Sequence, residues 1–276
     1  MHMRIYISAD IEGIGAIVRQ EQSSTDGREY RWARKMMTAE VNAAIRGAFD
    51  GGATEVVVSD SHNVGLNLIP DELDPRAALV MGSPRGLSMM EGIQAGSDAV
   101  FLVGYHSKAG TADSNLVHIF NRRIAEVRVN GIGVGEIGIS AGLAGYYGAP
   151  VALMTGDDRA AAEATALLPG IEAVEVKNAI GAYAARCLHP DKSRALIYEG
   201  AMRALARRGA WPFFKVGPPV ELVMRFTTSS AVDRVMRMPG NERLDGVTVR
   251  FAAKDFLEAF KAFNTMADLI ELVAYI

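Results

Sequence analysis

A single cysteine, Cys187, occurs among the 276 residues of the sequence. One cysteine excludes an internal disulfide framework and a cysteine-rich zinc site, and it is compatible with a reducing compartment. No apolar stretch approaches the roughly 18 uncharged residues that a membrane span needs. The amino-terminal segment reaches a charged residue, Asp10, too early for a secretory signal. We therefore expect a cytoplasmic protein with no membrane partner.

Clusters of positive charge are also missing. The 29 lysines and arginines face 32 aspartates and glutamates, and no basic run is longer than a pair. Such a surface does not favour nucleic acid, so we expect no nucleic-acid partner. Apolar residues make up 49% and charged residues 22%, which gives the chain enough apolar surface to fold. There is no P-loop, and Gly13-Ile14-Gly15 does not extend to a dinucleotide fingerprint, so we expect no nucleotide cofactor.

Short apolar segments alternate with amphipathic ones along the first two thirds of the chain. Such alternation predicts an α/β fold, with a mostly parallel sheet flanked by helices on both faces. The predicted strands are residues 4–9, 54–59, 99–104, 150–154 and 173–176. The predicted helices are residues 28–50, 87–95, 133–147 and 159–168.

Two regions depart from this alternation. Residues 117–120 and 124–129 look like short strands joined through residues 121–123, which predicts a hairpin insertion. Beyond residue 190 the pattern becomes helix, linker, strand, helix, strand and helix, the last helix over residues 255–274. We therefore predict an α/β metal-binding catalytic domain over 1–190 and a smaller C-terminal α+β lobe over 191–276.

Carboxylates and imidazoles follow three of the predicted strands. Asp10 and Glu12 follow the first strand, His62 the second and His106 the third, and Glu136 lies among glycines near a predicted helix start. The carboxyl ends of parallel strands meet at one edge of a sheet, so these side chains are expected to converge. Aspartate, glutamate and histidine are the ligands of zinc and similar cations where cysteine is absent. The pattern therefore predicts a divalent metal site.

The spacing of the two acids bears on the number of metals. Asp10 and Glu12 are two residues apart and would share one face of a regular strand. One carboxylate could then bridge two metals, and a pair about 3.5–4 Å apart activates water for hydrolysis. Taken singly, each residue has a plainer interpretation: Asp10 as a turn or helix cap, His62 as a polar turn residue, and Glu136 as a partner of the helix dipole. The joint pattern favours the metal site.

These residues resemble a known family. The string from Ser8 to Gly13 matches the S-x-D-x-E-G signature of the zinc-dependent D-aminopeptidases. The match continues in order over nearly the whole chain, through residues 59–62, 90–92, 104–106, 134–136 and 156–159. The resemblance implies two zinc ions per subunit, a two-lobed subunit and a homodecameric ring. Carried over residue by residue, the zinc ligands fall on Asp10, Glu12, His62, His106 and Glu136, and the catalytic histidine falls on His118.

One segment departs from the family pattern. Relatives more often have Pro-Gly after Thr111 and a small polar residue before the histidine, whereas this chain has Ala112-Asp113 and Val117. The implied metal ligands are untouched. This departure leaves two questions open: which substrate side chain the site selects, and what surrounds His118.

Four further features have two interpretations each. Asp60 either orients a ligand imidazole or caps a turn, and Asp157 and Asp158 are expected to cap the helix that follows them. Lys108 either meets a substrate carboxylate or is a solvated loop lysine. The polar loop of residues 13–27 either gates the site or is an ordinary surface loop.

The expected function is that of a hydrolase: a metalloprotease of the aminopeptidase type, acting on short peptides with a D-residue at the amino terminus. One alternative keeps the metals but changes the bond, to an L-peptide or another small amide. A second alternative is a peptide-binding protein without catalysis. The presence of His118 and of all five implied ligands argues against that second alternative.

Overall fold

The computed structural model describes residues 2–271. The helices are α1 (Gln20–Ser23), α2 (Tyr30–Asp50), α3 (Glu136–Tyr146), α4 (Asp158–Leu167), α5 (Pro190–Ala206), α6 (Ser229–Val235) and α7 (Phe256–Glu271). The strands are β1 (Arg4–Ala9), β2 (Glu55–Asp60), β3 (Ala77–Val80), β4 (Ala99–Tyr105), β5 (Ile124–Val129), β6 (Ile132–Val134), β7 (Val151–Asp157), β8 (Glu172–Gly181), β9 (Ala184–Cys187), β10 (Val220–Phe226), β11 (Asn241–Arg243) and β12 (Thr248–Ala253). No helix within these residues combines the length and apolar character of a membrane span.

The larger sheet has seven strands in the order β3-β2-β1-β4-β7-β8-β9. Its neighbours pair in parallel except β9, which runs antiparallel to β8. The central strands β4 and β7 are buried along their whole length, because helices cover both faces. This architecture confirms the predicted mostly parallel α/β sheet. The strands β3 and β9 were not predicted; both are four-residue edge strands with only partly buried side chains.

Helix α2 illustrates how the spacing of apolar residues in the sequence predicts a helix. Met37, Val41, Ala44, Ile45 and Ala48 recur at helical spacing and are buried, and the helix ends where two glycines follow. It packs with α5 over one face of the larger sheet, in an apolar cluster that includes Ile5, Val41 and Ile197. On the opposite face, α3 packs against a second cluster that includes Tyr6, Leu102 and Ile137.

The smaller sheet is antiparallel, with the order β11-β12-β10-β5-β6. The hairpin is present, but the residues predicted for it were partly wrong. It consists of β5 and β6, whereas residues 117–120 form no strand beyond an isolated bridge between Ile119 and Asn121. Leu116 and Phe120 adopt positive φ angles of 52° and 55°, which an extended strand does not accommodate.

The two sheets share segments from both halves of the chain. The hairpin β5–β6 joins the smaller sheet through β10, although it precedes residue 190. Helix α5 follows residue 190 but packs against α2 beside the larger sheet. The division at residues 190 and 191 stays a prediction.

Three predicted helices differ from the structure in extent. The helix predicted over residues 133–147 begins only at Glu136, because residues 133 and 134 belong to β6. Residues 87–95 form two short 3-10 turns, Ser88–Met90 and Ile93–Ala95, separated by Glu91 and Gly92. The C-terminal helix α7 begins as predicted and is described as far as Glu271. Its predicted last residues, 272–274, lie outside the described residues.

Two glycines allow the ends of β1 and β4 to meet. A Cβ on Gly13 would lie 2.0 Å from the Tyr105 carbonyl oxygen, and one on Gly104 would lie 2.2 Å from the Asp10 carbonyl oxygen. Gly104 also has a φ of +73°, which side-chain-bearing residues rarely adopt. The Gly13 amide donates to the Gly104 carbonyl at 2.7 Å. This close approach places the residues after β1 beside those after β4.

A buried acid on α2 supports the loop that follows β1. The Glu40 carboxylate accepts from the Gly15 amide at 3.1 Å, and its other oxygen has no hydrogen-bond partner. Burial raises the pKa of Glu40 from its ordinary value of 4.5 to about 7, against the opposing effects of that amide and of the charges of Lys177 and Arg194. The folded protein therefore retains this proton to a higher pH than the unfolded chain does.

Glu40→Gln is expected to flatten the pH dependence of stability. Because the pKa of Glu40 is raised in the folded protein, its contribution to the free energy of unfolding is fully present below about pH 4.5. That contribution, about 3 kcal/mol, is lost as the pH rises towards 7. Denaturant unfolding at pH 5 and pH 8 should show that the variant gains stability over the parent at the higher pH. Glu199→Gln, on the exposed side of α5, is the control and should show no such gain. If the unfolding free energies of Glu40→Gln and the parent differ by the same amount at pH 5 and pH 8, the role of Glu40 is contradicted.

Candidate metal centre

The order of the strands brings the predicted site residues together. Strands β2, β1 and β4 are neighbours, so the side chains that follow them meet at one edge of the sheet: His62 after β2, Asp10 and Glu12 after β1, and His106 after β4. Glu136 is the first residue of α3 and reaches the same edge. All five side chains are largely or fully buried.

The side chains form two groups that could each hold a cation. One group is Asp10, Glu12 and His62, and in it the Nδ1 atom of His62 lies 3.0 Å from an oxygen of Glu12. The other is His106, His118 and Glu136, and in it the Nε2 atom of His106 lies 3.4 Å from an oxygen of Glu136. Within each group the potential ligand atoms lie within 4.8 Å of one another.

The Asp10 carboxylate lies between the two groups. Its Oδ1 atom is 3.3 Å from Nδ1 of His62, and its Oδ2 atom is 3.6 Å from Nε2 of His106. One carboxylate oxygen therefore faces each group. This is the arrangement of a ligand that bridges two metal ions.

Backbone carbonyls hold the three imidazoles in place. Nδ1 of His106 lies 2.9 Å from the Ser107 oxygen, and Nδ1 of His118 lies 2.7 Å from the Leu116 oxygen. His62 is held through its other nitrogen, because Nε2 lies 2.9 Å from the Ser23 oxygen. A carbonyl can only accept, so each of these nitrogens carries the hydrogen. The second nitrogen of each ring then points towards the carboxylates, as in metal-binding histidines.

The buried atoms of the centre fit a cation. Oδ2 of Asp10, Oε2 of Glu12 and Nε2 of His106 are buried and have no hydrogen-bond partner, although they lie close to charged neighbours. Such unpartnered buried atoms are costly, and a cation between them would remove that cost. The donors are oxygen and nitrogen alone, a set that suits zinc.

The electrostatics of the cluster also favour positive charge. Burial, reinforced by the charge of Glu12, raises the pKa of Asp10 to about 7. Burial opposes protonation of His106, but the carboxylates of Glu136, Asp10 and Glu12 together outweigh it and raise the pKa of His106 to about 10. In the same way, Glu12 and Asp10 outweigh burial and raise the pKa of His62 well above its ordinary range.

His118 differs from the other two histidines. Its ring stacks on that of His106 with centroids 4.1 Å apart, and its Nε2 atom lies 3.9 Å from an oxygen of Glu136. The side chain of His118 is 17% exposed, against 1% for His106. Burial and the adjacent charge of His106 lower the pKa of His118. His118 thus opens to solvent beside the cluster and has a pKa below its ordinary value.

A cavity of about 640 Å³ leads to the cluster. Its floor includes Asp10, Glu12, His62, His118 and Glu136. Residues 23–26 of the loop after β1 line one side, residues 120–123 line another, and Asp268 of α7 lies at the rim. The loop of residues 13–27 therefore contacts the site, and its role as a gate stays a prediction.

The sequence is similar to known proteins over its whole length. Residues 3–265 match the D-aminopeptidase family. A D-aminopeptidase of Bacillus subtilis (strain 168) is 36% identical over 269 residues, which cover 97% of each chain. A solved structure from Bacillus subtilis, the Zn-dependent D-aminopeptidase DppA, a self-compartmentalizing protease, matches with a TM-score of 0.96 and 34% identity. That match covers 99% of this chain and 100% of the other.

The chain belongs to the D-aminopeptidase family. The match confirms the resemblance found in the sequence, and the fold agrees with it. The roles of Asp10, Glu12, His62, His106 and Glu136 as ligands, and of His118 in catalysis, stay predictions at this point.

The structure shows what Asp60 and Asp157 do. Within residues 2–271, Asp60 makes no hydrogen bond to an imidazole; its carboxylate accepts from the amides of Asn67 and Leu68, and so shapes the loop that carries His62. Asp157 caps α4 as predicted, through the Ala160 amide at 2.7 Å.

Lys108 does not line the cavity. Its ammonium group donates instead to the Gly133 carbonyl at 3.3 Å. Asp158, expected to cap the same helix as Asp157, is the first residue of α4, and its carboxylate accepts from the Ala179 amide at 2.7 Å.

Two short motifs overlap the start of α3 without their usual meaning. Residues 133–138 have the G-x-G-x-x-G spacing, but the segment follows a three-residue strand of the antiparallel sheet and places Glu136 at the helix start. A carboxylate there would repel a pyrophosphate. Residues 138–142 have the G-x-S-x-G spacing, but Ser140 lies within the helix, buried and 3.1 Å from the Tyr105 hydroxyl.

Sequence reasoning missed a support for the loop that carries His118. The amide of Asn115 lies 3.1 Å from the Asp157 carboxylate, and its side chain donates to the carbonyls of Val18 and Ala182. Asn115 is fully buried and lies three residues before His118. Its partners come from three distant parts of the chain, so no local pattern marks it.

Sequence reasoning also missed Lys177, on β8. This lysine is 2% exposed, and its ammonium group donates to the carbonyls of Glu12 at 2.6 Å, Ile14 at 3.2 Å and Ile17. Burial lowers the pKa of Lys177 to about 8, although nearby acids such as Asp157 oppose that change. It holds the segment that contains Glu12 against the sheet.

Lys177→Met is expected to destabilise the protein and to lower its activity. The variant keeps the volume of the side chain but leaves the buried carbonyls of Glu12 and Ile17 without this donor, while the Ile14 carbonyl still accepts from the Ile17 amide. The loss should cost about 3 kcal/mol of unfolding free energy. Denaturant unfolding and hydrolysis assays measure the two effects. Lys192→Met, on the exposed side of α5, should stay within about 0.5 kcal/mol of the parent. Equal stability of both variants would contradict the role of Lys177.

Proposed function

We propose that this protein is a dinuclear-zinc aminopeptidase that removes the N-terminal residue of short peptides, with D-residues preferred. The observation that carries the proposal is the position of the Asp10 carboxylate, with one oxygen facing His62 and the other facing His106. The family membership and the Zn-dependent D-aminopeptidase DppA from Bacillus subtilis, which has the same fold, support the metal and the substrate.

The ligands are assigned from the two groups. Asp10, Glu12 and His62 would hold one zinc ion, and Asp10, His106 and Glu136 would hold the other. Zinc at these positions would supply Lewis acidity towards the free amine and the scissile carbonyl of a peptide and would lower the pKa of water.

His118 is assigned to proton transfer. Its Nδ1–H donates to the Leu116 carbonyl, so Nε2 is free to accept a proton at the edge of the cavity. A lowered pKa keeps this nitrogen unprotonated at neutral pH, as a general base requires. Direct attack by the same nitrogen on the substrate would use the same geometry.

We further propose that the protein forms a homodecamer in the cytoplasm. The assembly rests on the family resemblance and on the self-compartmentalizing character of DppA from Bacillus subtilis. The compartment rests on the single cysteine of the sequence, which is compatible with a reducing compartment.

Two alanine variants separate catalysis from metal binding. His118→Ala should lower kcat by about 10²–10⁴-fold, because proton transfer is lost. Its zinc content should stay at about two per subunit. Asp10→Ala should lose both activity and metal, because both ions share this carboxylate. Activity assays with elemental analysis measure both. Full activity of the first variant, or retention of both metals by the second, would contradict the assignments.

Metal content and stereospecificity are measured on one sample. We expect about two zinc ions per subunit and hydrolysis of D-alanine p-nitroanilide in preference to the L-isomer. Chelation should abolish this hydrolysis, and added zinc should restore it. Preferential cleavage of the L-isomer would favour the L-peptidase alternative, and bound metal without cleavage of either would favour another small amide or a binding role. A protein that takes up no metal would refute the proposal.

A further inference from the structure

The lining of the cavity contains both acids and arginines. Asp10, Glu12 and Glu136, the proposed zinc ligands, line it together with Asp26, Asp268 and Glu271, and Arg122 and Arg123 line it within the segment of residues 120–123. A short peptide has an amine at one end and a carboxylate at the other. A peptide whose amino end is held at the proposed zinc centre therefore needs a cationic partner for its carboxylate, and an arginine in the same lining can supply it.

The two arginines are in different situations. The guanidinium of Arg123 donates to the Ile270 carbonyl of α7. Arg122 makes no side-chain hydrogen bond and no ion pair with any of residues 2–271, although its side chain is exposed in the cavity wall. Its guanidinium lies over the ring of Tyr183, 5.7 Å from the centroid. An arginine held on one face by an aromatic ring keeps its N–H groups free for an anion.

The backbone ties Arg122 to the candidate metal centre. The Phe120 amide donates to an oxygen of Glu136 at 2.6 Å, so the segment is fixed to the cluster two residues before Arg122. Arg122 follows His118 by four positions, which limits their Cα atoms to about 14 Å apart. Dipeptides and tripeptides span about 7–11 Å. The distance from the cluster to Arg122 is therefore of the same order as the length of a short peptide.

Another guanidinium near the cleft is less suitable. Arg85 lines an adjoining recess and donates to the Ser59 hydroxyl at 3.2 Å and to the Asp60 carbonyl at 2.7 Å. Those bonds use the N–H groups that a carboxylate would need. Arg122 has no such competition.

We propose that Arg122 binds the C-terminal carboxylate of the peptide substrate and so selects short peptides with a free carboxylate. The planar guanidinium matches a carboxylate with two parallel N–H···O bonds. This inference rests on the proposed function, because the amino end must be held at the metal centre. It makes Arg122 a specificity-determining residue and limits efficient substrates to two or three residues.

The test compares two substrates in three proteins. D-alanyl-D-alanine and its C-terminal amide differ only in the carboxylate, and both are assayed for kcat and KM with the parent, Arg122→Gln and Arg128→Gln. Arg128 lies on β5, pairs with Glu126 and does not line the cavity, so it serves as the matched control. The parent should favour the free carboxylate by about tenfold in kcat/KM, the size of one charged hydrogen-bond pair.

Arg122→Gln should abolish this preference by raising KM for the free dipeptide, with kcat and the kinetics of the amide little changed. Arg122→Lys should recover part of it, and Arg128→Gln should keep it in full. An unchanged preference in Arg122→Gln, or an equal loss for both substrates, would overturn the inference. Equal cleavage of both substrates by the parent would overturn it while leaving the aminopeptidase function intact. Cleavage of neither by the zinc-loaded parent would overturn both.

Discussion

Three carboxylates and three imidazoles lie together at one buried edge of the larger sheet, and the rest of the structure depends on this constraint. Asp10, Glu12 and Glu136 are within 5% of full burial, where like charges repel strongly. Hydrogen bonds do not relieve this arrangement, because several inward-facing atoms have no partner. Positive charge does relieve it. The same electrostatics that raise the pKa values of His62 and His106 therefore favour divalent cations at this edge.

The scaffold holds these groups together by contacts around the cluster. Gly13 and Gly104 let the ends of β1 and β4 approach closely, which a Cβ at either position would prevent. Lys177 ties down the segment that carries Glu12, and Asp157 with Asn115 does the same for the loop that carries His118. Preorganisation of this kind suits catalysis, since the groups need not be rearranged during the reaction.

The distribution of charge in the cavity connects the chemistry to the substrate. Arg122 lines the same cavity as the acids of the candidate metal centre. The segment between His106 and His118, where this chain departs from its family, ends two residues before residues 120–123. In the function proposed above, substrate selection and metal binding therefore depend on different parts of the chain.

The central strands of the larger sheet, its longer helices, the acids and histidines after three strands and the family were predictable from the sequence, because each depends on local periodicity or short motifs. The short edge strands β3 and β9 and the 3-10 turns of residues 88–95 were not. His118 was assigned from the resemblance alone. The pairing of β5 with β6 and β10, the carbonyls that orient the imidazoles, and the positions of Asn115 and Lys177 were not predictable. Those features join residues far apart in the chain, so they exist only once the tertiary structure has brought their partners together.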